Sequence, residues 1–156
     1  MEGLLRIAEE NGIDIEELVM SVIKSRSGDL MSTIKLRIEL AEKYLVEARE
    51  QLGKGDAVQA SGKAYKAAEE VVKALAEKLN TKEYQQAVKE GRWYTYQLSS
   101  VAAKYDWSRR GWSSAYLLHV WGFHEAKLTI DDVRSYVVDI EDMVTRAKEF
   151  ILQGSL

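Results

Sequence analysis

Between Asp29 and Leu79 the chain carries two long apolar seams with one short polar break, Gly53-Lys54-Gly55-Asp56, between them. In the first arm Met31, Ile34, Ile38, Ala41, Leu45, Ala48 and Leu52 follow at alternating steps of three and four, the spacing of one helix face. Lys35, Arg37, Glu39, Glu42, Lys43, Glu47, Arg49 and Glu50 stand between them with both signs interleaved, the pattern of a solvated face. The second arm sets Ser61, Ala64, Ala68, Val71, Leu75 and Leu79 on its seam, with Ala57, Ala60, Ala67 and Ala74 beside it. Small side chains let helices approach closely, so this arm is expected to be the most tightly packed. Gly53 is placed to close the first helix in the left-handed conformation and Asp56 to cap the second. So short a connection predicts antiparallel arms.

The rest of the composition suits that hairpin. No proline occurs in 156 residues, as a chain that is mostly helix requires. That length suits one domain able to bury about two-thirds of its unfolded surface. The expected fold class is all-α: an up-and-down antiparallel helical bundle over residues 29–156, preceded by a short helical arm over residues 1–28. The absence of cysteine removes disulfides, thiol catalysis and cysteine-bound zinc. No apolar run is long enough to span a bilayer, and the amino terminus lacks the basic-then-apolar order of a signal peptide, so a cytoplasmic protein without membrane contact is expected. A net charge of −3 argues against a wholly basic coat for nucleic acid but leaves room for a local patch.

In the arm, a first helix from about Glu2 to Glu10 ends at Asn11-Gly12, and Asp14 caps a second, with Glu17 placed for a capping box. Acidic residues outnumber basic ones there. The arm either docks a partner or second subunit or folds onto its own bundle, and the second reading is the expected one. After the hairpin, Asn80-Thr81 ends one helix and caps the next, and Gly91 interrupts the chain before further helix to about Lys104. Ser108 is expected to cap a helix that runs to Trp121 and stops at Gly122. Thr129 caps the last helix, with Val133, Val137, Ile140, Val144, Ala147 and Ile151 on its seam, and the tail after Gly154 is expected to fray.

From Arg92 to His124 the composition changes. All four tryptophans, both histidines and four of the eight tyrosines fall here, with Arg92, Lys104, Arg109 and Arg110 among them. Buried aromatics commonly anchor a bundle core, yet interleaved with arginines some would stack on a base while guanidinium groups hold phosphate. The ligand candidates are Arg92, Arg109, Arg110, Trp112 and Tyr116. His119, inside an apolar stretch, reads first as a hydrogen-bonded core histidine, and His124 as an exposed one. His119, His124 and Glu125 are a poor metal set, because a step of five misaligns side chains on a regular helix, where four aligns them. No metal or cofactor is expected, and no glycine-rich phosphate loop, zinc-protease motif or serine elbow occurs. The plentiful carboxylates read as solvated surface.

Three stretches carry a family likeness: Ala41-Glu42-Lys43-Tyr44-Leu45, Ala60-Ser61-Gly62-Lys63-Ala64-Tyr65-Lys66-Ala67-Ala68-Glu69-Glu70, and Leu117-Leu118-His119-Val120-Trp121-Gly122-Phe123-His124-Glu125. With Leu52-x-Lys54-Gly55-Asp56 they resemble the HEPN superfamily (higher eukaryotes and prokaryotes nucleotide-binding), and within it the archaeal PaREP family. The resemblance implies an up-and-down bundle, a homodimer, and partners that include nucleotidyltransferases. Many HEPN members are RNases of toxin–antitoxin systems with an arginine followed four to six residues later by a histidine. Here eight residues separate Arg110 from His119, and no arginine precedes His124 at that distance. On a regular helix Arg110 and His119 would face opposite ways, about 13 Å apart along the axis, and Arg109 would stand about 15 Å from His119. The sequence therefore points first to a non-catalytic dimeric module binding nucleotide, RNA or protein. A degenerate RNase using Arg109 or Arg110 with His119 or His124, and a structural bundle docking through its acidic arm, are the alternatives.

Overall fold

The computed structural model describes residues 2–29 and 31–152. The helices are α1 (Glu2–Glu10), α2 (Ile15–Ser27), α3 (Ser32–Gly53), α4 (Ala57–Leu79), α5 (Lys82–Glu90), α6 (Thr95–Ala102), α7 (Asp106–Leu117) and α8 (Ile130–Leu152), with a π-helical segment Leu118–His124 continuing α7. No strand occurs among the described residues, and no described helix is long and apolar enough to cross a membrane. The expected fraying after Gly154 lies outside the described residues.

The sequence makes α4 the axis of the bundle. It packs against α3, α5, α6, α7, α8 and the π-helical segment, which is possible because it is lined with alanine. Ala60, Ala64, Ala67, Ala68, Ala74 and Ala76 are wholly buried, and Val71, Val72 and Leu75 fill the space between neighbours. Every residue of the α8 seam is buried as the spacing requires, while Leu79 at the end of α4 stays partly exposed. Where α7 crosses α8 the contact is closer still. A Cβ added at Gly111 would stand 2.6 Å from the Met143 Cβ, so only glycine lets the helices meet there.

Most helix ends follow the chemistry of their residues. Asp14 Oδ1 accepts from Glu17 N, Asp56 Oδ1 from Gln59 N, and Thr81 Oγ1 from Tyr84 N. Thr129 and Asp132 cap each other reciprocally. Asn80 and Gly91 close α4 and α5 in the left-handed conformation. Three expectations are corrected. The left-handed residue of the hairpin turn is Gly55 at φ 75°, since α3 runs through Gly53. Ser108 lies within the first turn of α7, where its hydroxyl donates to carbonyl oxygens of Ala102 and Tyr105. Gly122 sits inside the π-helical segment, which continues to His124.

The larger correction concerns charge. Arg37 is not on a solvated face: it is 4% exposed, and the carboxylates of Glu17, Glu70 and Glu77 are buried or nearly so. Arg37 Nη2 reaches Glu17 Oε2 at 2.6 Å, and Nη1 donates to Glu70 Oε2 at 3.0 Å. Lys73 Nζ lies 3.0 Å from Glu17 Oε1 and 3.8 Å from Glu69. One turn along, Glu77 Oε1 accepts from Thr33 and Lys24. Burial alone pushes the Glu17 carboxyl up, but Lys73 and Arg37 more than offset it and hold it below the usual carboxylate range. Glu70 goes the other way, raised by burial despite the same two cations. Glu17 was expected to serve a capping box. Its side chain instead ties α2 to the hairpin, so the second helix of the arm is folded onto its own bundle.

Candidate functional site

At Leu118 the helix widens. The Glu125 amide donates to Val120, a step of five residues, at 2.9 Å. In such a turn, residues five apart come into register. His119 and His124 therefore stand with ring centroids 4.5 Å apart and planes at 80°. The expectation that a step of five misaligns them assumed a regular α-helix, and the π-helical backbone removes that assumption. The pair gains no third ligand: no group of three or more His, Asp or Glu positioned for a metal ion occurs among the described residues.

His119 is half-buried and lies flat on Tyr65 of α4, with centroids 4.0 Å apart and planes at 21°. Tyr65 in turn touches Trp112, and Tyr116 leans toward His119. Burial, reinforced by His124, pushes the His119 imidazole below its ordinary value of 6.5. A histidine with a depressed folded pKa binds its proton more readily in the unfolded chain. Its contribution to stability is whole above pH 6.5 and is lost as pH falls through the lower folded value. Thermal melts across this window are expected to show a slope that His119→Phe flattens; an unchanged slope would assign the acid sensitivity elsewhere.

The stretches 60–70 and 117–125 are contact partners. Phe123 lies over Gly62, where a Cβ would meet its ring at 2.8 Å. A Cβ on Gly122 would stand 2.6 Å from the Ser61 Cβ. The glycine of each stretch thus admits a side chain of the other, and Tyr65 and His119 stack in the same seam.

A family model described as the Archaeal PaREP1/PaREP8 family matches residues 36–144, which spans the hairpin and this seam together. The chain belongs to that family. A crystal structure of a Sulfolobus solfataricus protein resembles this PaREP chain at 41% identity and TM-score 0.63, covering 69% of this chain and 92% of that one. A solution structure of the same structural-genomics target matches at 39% identity and TM-score 0.62, covering 74% and 93%. Among curated proteins none matches.

On the PaREP bundle, Arg109, Trp112 and Tyr116 line one open groove of about 790 Å³ between α6 and α7, with Tyr96, Ser99 and Ser113. Arg92 and Arg110 stand outside it; the Arg92 guanidinium covers the Tyr94 ring at 4.5 Å. Arg109 is held by Asp106 at 3.0 Å and by the Ala103 carbonyl at 2.9 Å, which aims it along the groove wall. Trp112 is 5% exposed and donates Nε1–H to Ser99 Oγ, so it forms the floor and has no open face for a base. The groove's rings open to solvent are Tyr96 and Tyr116; Tyr94 before α6, and Trp121 and Phe123 on the π-helical segment, are exposed as well. Sequence reasoning missed Tyr96 and Tyr65. Tyr65 was visible within the second family stretch and Tyr96 within the aromatic and basic stretch, but only the fold of α6 onto α7 brings Tyr96 to the groove.

Proposed function

We propose that this PaREP chain is a HEPN-like, non-catalytic binding module, working as a homodimer, whose groove takes a nucleotide or a short single-stranded RNA segment. The observation that carries it is the lining of that groove: an oriented guanidinium, Arg109, beside two exposed rings, Tyr96 and Tyr116. Charge-assisted bonds would hold phosphate, while stacking on an exposed ring contributes about 1–3 kcal/mol per base and tolerates sequence. Fluorescence anisotropy with labelled RNA oligomers and nucleotides tests it. Tyr116→Ala is expected to weaken binding about tenfold or more, and Arg109→Ala to reduce the salt dependence as well. No binding by the wild type, or binding indifferent to both changes, sinks the reading. Light scattering tests the dimer, and co-purification with a nucleotidyltransferase-like protein would supply the partner that the resemblance implies.

One observation favours a second reading. The π-helical turn pairs His119 with His124, and burial, reinforced by His124, holds the His119 imidazole below its ordinary value, so a neutral imidazole is available at neutral pH. Two imidazoles are the chemistry of metal-independent RNA cleavage, one removing the 2′-hydroxyl proton and the other protonating the leaving oxygen. On this reading Arg109 or Arg110 would be the arginine that acts with them. RNA turnover by purified protein, lost in both His119→Asn and His124→Asn, would replace the binding reading with this one.

A further inference from the structure

The wall of the aromatic groove continues past Tyr96. That ring is 68% exposed and stacks on Tyr94, with centroids 5.8 Å apart and planes at 20°. On Tyr94 lies the Arg92 guanidinium, 4.5 Å from the ring centroid. Three side chains at alternate positions, running from the connection between α5 and α6 into the first turn of α6, thus form one stack that leads from the groove to a cation. Trp93, between Arg92 and Tyr94, packs against the core, which leaves its two neighbours on the outer side. The backbone fixes the stack as well: Tyr94 N donates at 2.9 Å to Oε1 of Gln97, a buried side chain at the foot of α6. Exposed rings held in place at no cost on binding are a preorganised surface.

The two arginines at the ends of this surface differ. Arg109 is paired with Asp106, whereas Arg92 is exposed and joins no ion pair among the described residues. Glu90, the carboxylate nearest to it in sequence, accepts from Gln86 at 2.7 Å instead. A guanidinium that stacks by its face keeps its N–H edge free, and that planar fork matches a phosphate. Tyr94, 37% exposed and in contact with both neighbours, is the support of the stack, and Tyr96 is its platform. A mononucleotide seated on Arg109 and Tyr116 leaves Tyr96 and Arg92 idle. A strand uses them, one for the next base and the other for the next phosphate.

We propose that the groove and this stack form one track for single-stranded RNA, in which Tyr96 receives the base after the one on Tyr116 and Arg92 holds the phosphate beyond it. The inference rests on the nucleotide-or-RNA reading of the groove and narrows it. The ligand is a strand whose bases are unstacked, which excludes both the mononucleotide and the duplex, since a duplex keeps its base faces inside.

Fluorescence anisotropy of the full chain with labelled octauridylate, competed by uridine monophosphate and by an RNA duplex of the same length, tests it. Octauridylate is expected to bind at least about tenfold more tightly than the monophosphate, as one further stacked base requires. Arg92→Ala is expected to remove most of that advantage and to lower the slope of log affinity against log salt by about 0.7, the value of one phosphate contact on a single strand. Arg92 is exposed and unpaired, so this change leaves the fold intact. Tyr94→Leu keeps the backbone bond to Gln97 but removes the support, and is expected to weaken the octamer severalfold. Equal affinity for octauridylate and the monophosphate overturns the track while the groove keeps its nucleotide. An advantage indifferent to both substitutions overturns it too, as does a duplex that competes as well as the strand. Binding of neither probe removes the groove and the track together.

Discussion

Arg37→Met is expected to destabilise the protein by about 3–5 kcal/mol, the range for removing one partner of a buried ion pair. The substitution keeps an unbranched stem but removes the buried guanidinium, so the loss reports charge and hydrogen bonding together with the space that group filled. It strands Glu70 and leaves Glu17 with Lys73 alone, beneath α2, where both carboxylates accept from the guanidinium at 2.6–3.0 Å. Glu70 is 1% exposed and already raised by burial, so without Arg37 it takes up a proton and the stability curve shifts with pH. Urea unfolding checks the result: the midpoint falls while the slope is retained, because the surface exposed on unfolding is unchanged. In the double variant Arg37→Met with Glu70→Gln the loss is smaller than the sum of the single losses, since the second change removes the charge that the first left unpaired. A strictly additive pair would show that the two residues do not act together.

Gly122→Ala is the second large effect, about 2 kcal/mol of net destabilisation. The methyl group has nowhere to go: the Ser61 Cβ lies 2.6 Å from where it would stand, on a backbone fixed by the wholly buried middle of α4. Overpacking of this kind costs typically about 1–3 kcal/mol, and the alanine recovers up to about 1 kcal/mol of helix propensity. Ser61→Gly, which removes the obstructing atoms, is expected to restore much of the loss when combined with Gly122→Ala. The near-ultraviolet circular dichroism of the alanine variant is expected to change as well, because His119, Phe123 and His124 ride on the same turn. A variant with wild-type stability and spectrum would mean that the π-helical segment can slide along α4.

The hairpin, α8 and most of the caps were legible because their signals are local. An apolar step of three and four names a helix face, and an Asp, Asn or Thr before it names the start. The charge network was not legible for the same reason. Arg37 stands in a run of alternating signs most of whose other members are solvent-facing, and what buries it is Glu70, a partner 33 residues away on the next helix, and Glu17 on the arm. Gly122 was read as a stop because glycine commonly is one. Its task is to let the helix pass Ser61, a contact that sequence spacing does not reveal. The step from His119 to His124 was judged on α-helical geometry, and no residue in Leu118–His124 announces the wider turn. In the candidate groove, Arg109, Trp112 and Tyr116 were chosen for residue type and share one wall, but type alone did not separate the buried Trp112 from the exposed Tyr116.

The network under α2 bears on how such a chain is assembled over generations. Within the hairpin, Arg37 has Glu70 and Lys73 has Glu69, two cations with two anions, before the arm contributes anything. Glu17 arrives as a third anion shared by both cations, and the family match begins only at residue 36, beyond the arm. A lineage can therefore exchange α1 and α2 without breaking either of those pairs, provided that the replacement brings a cation for Glu77, which Lys24 of α2 now answers.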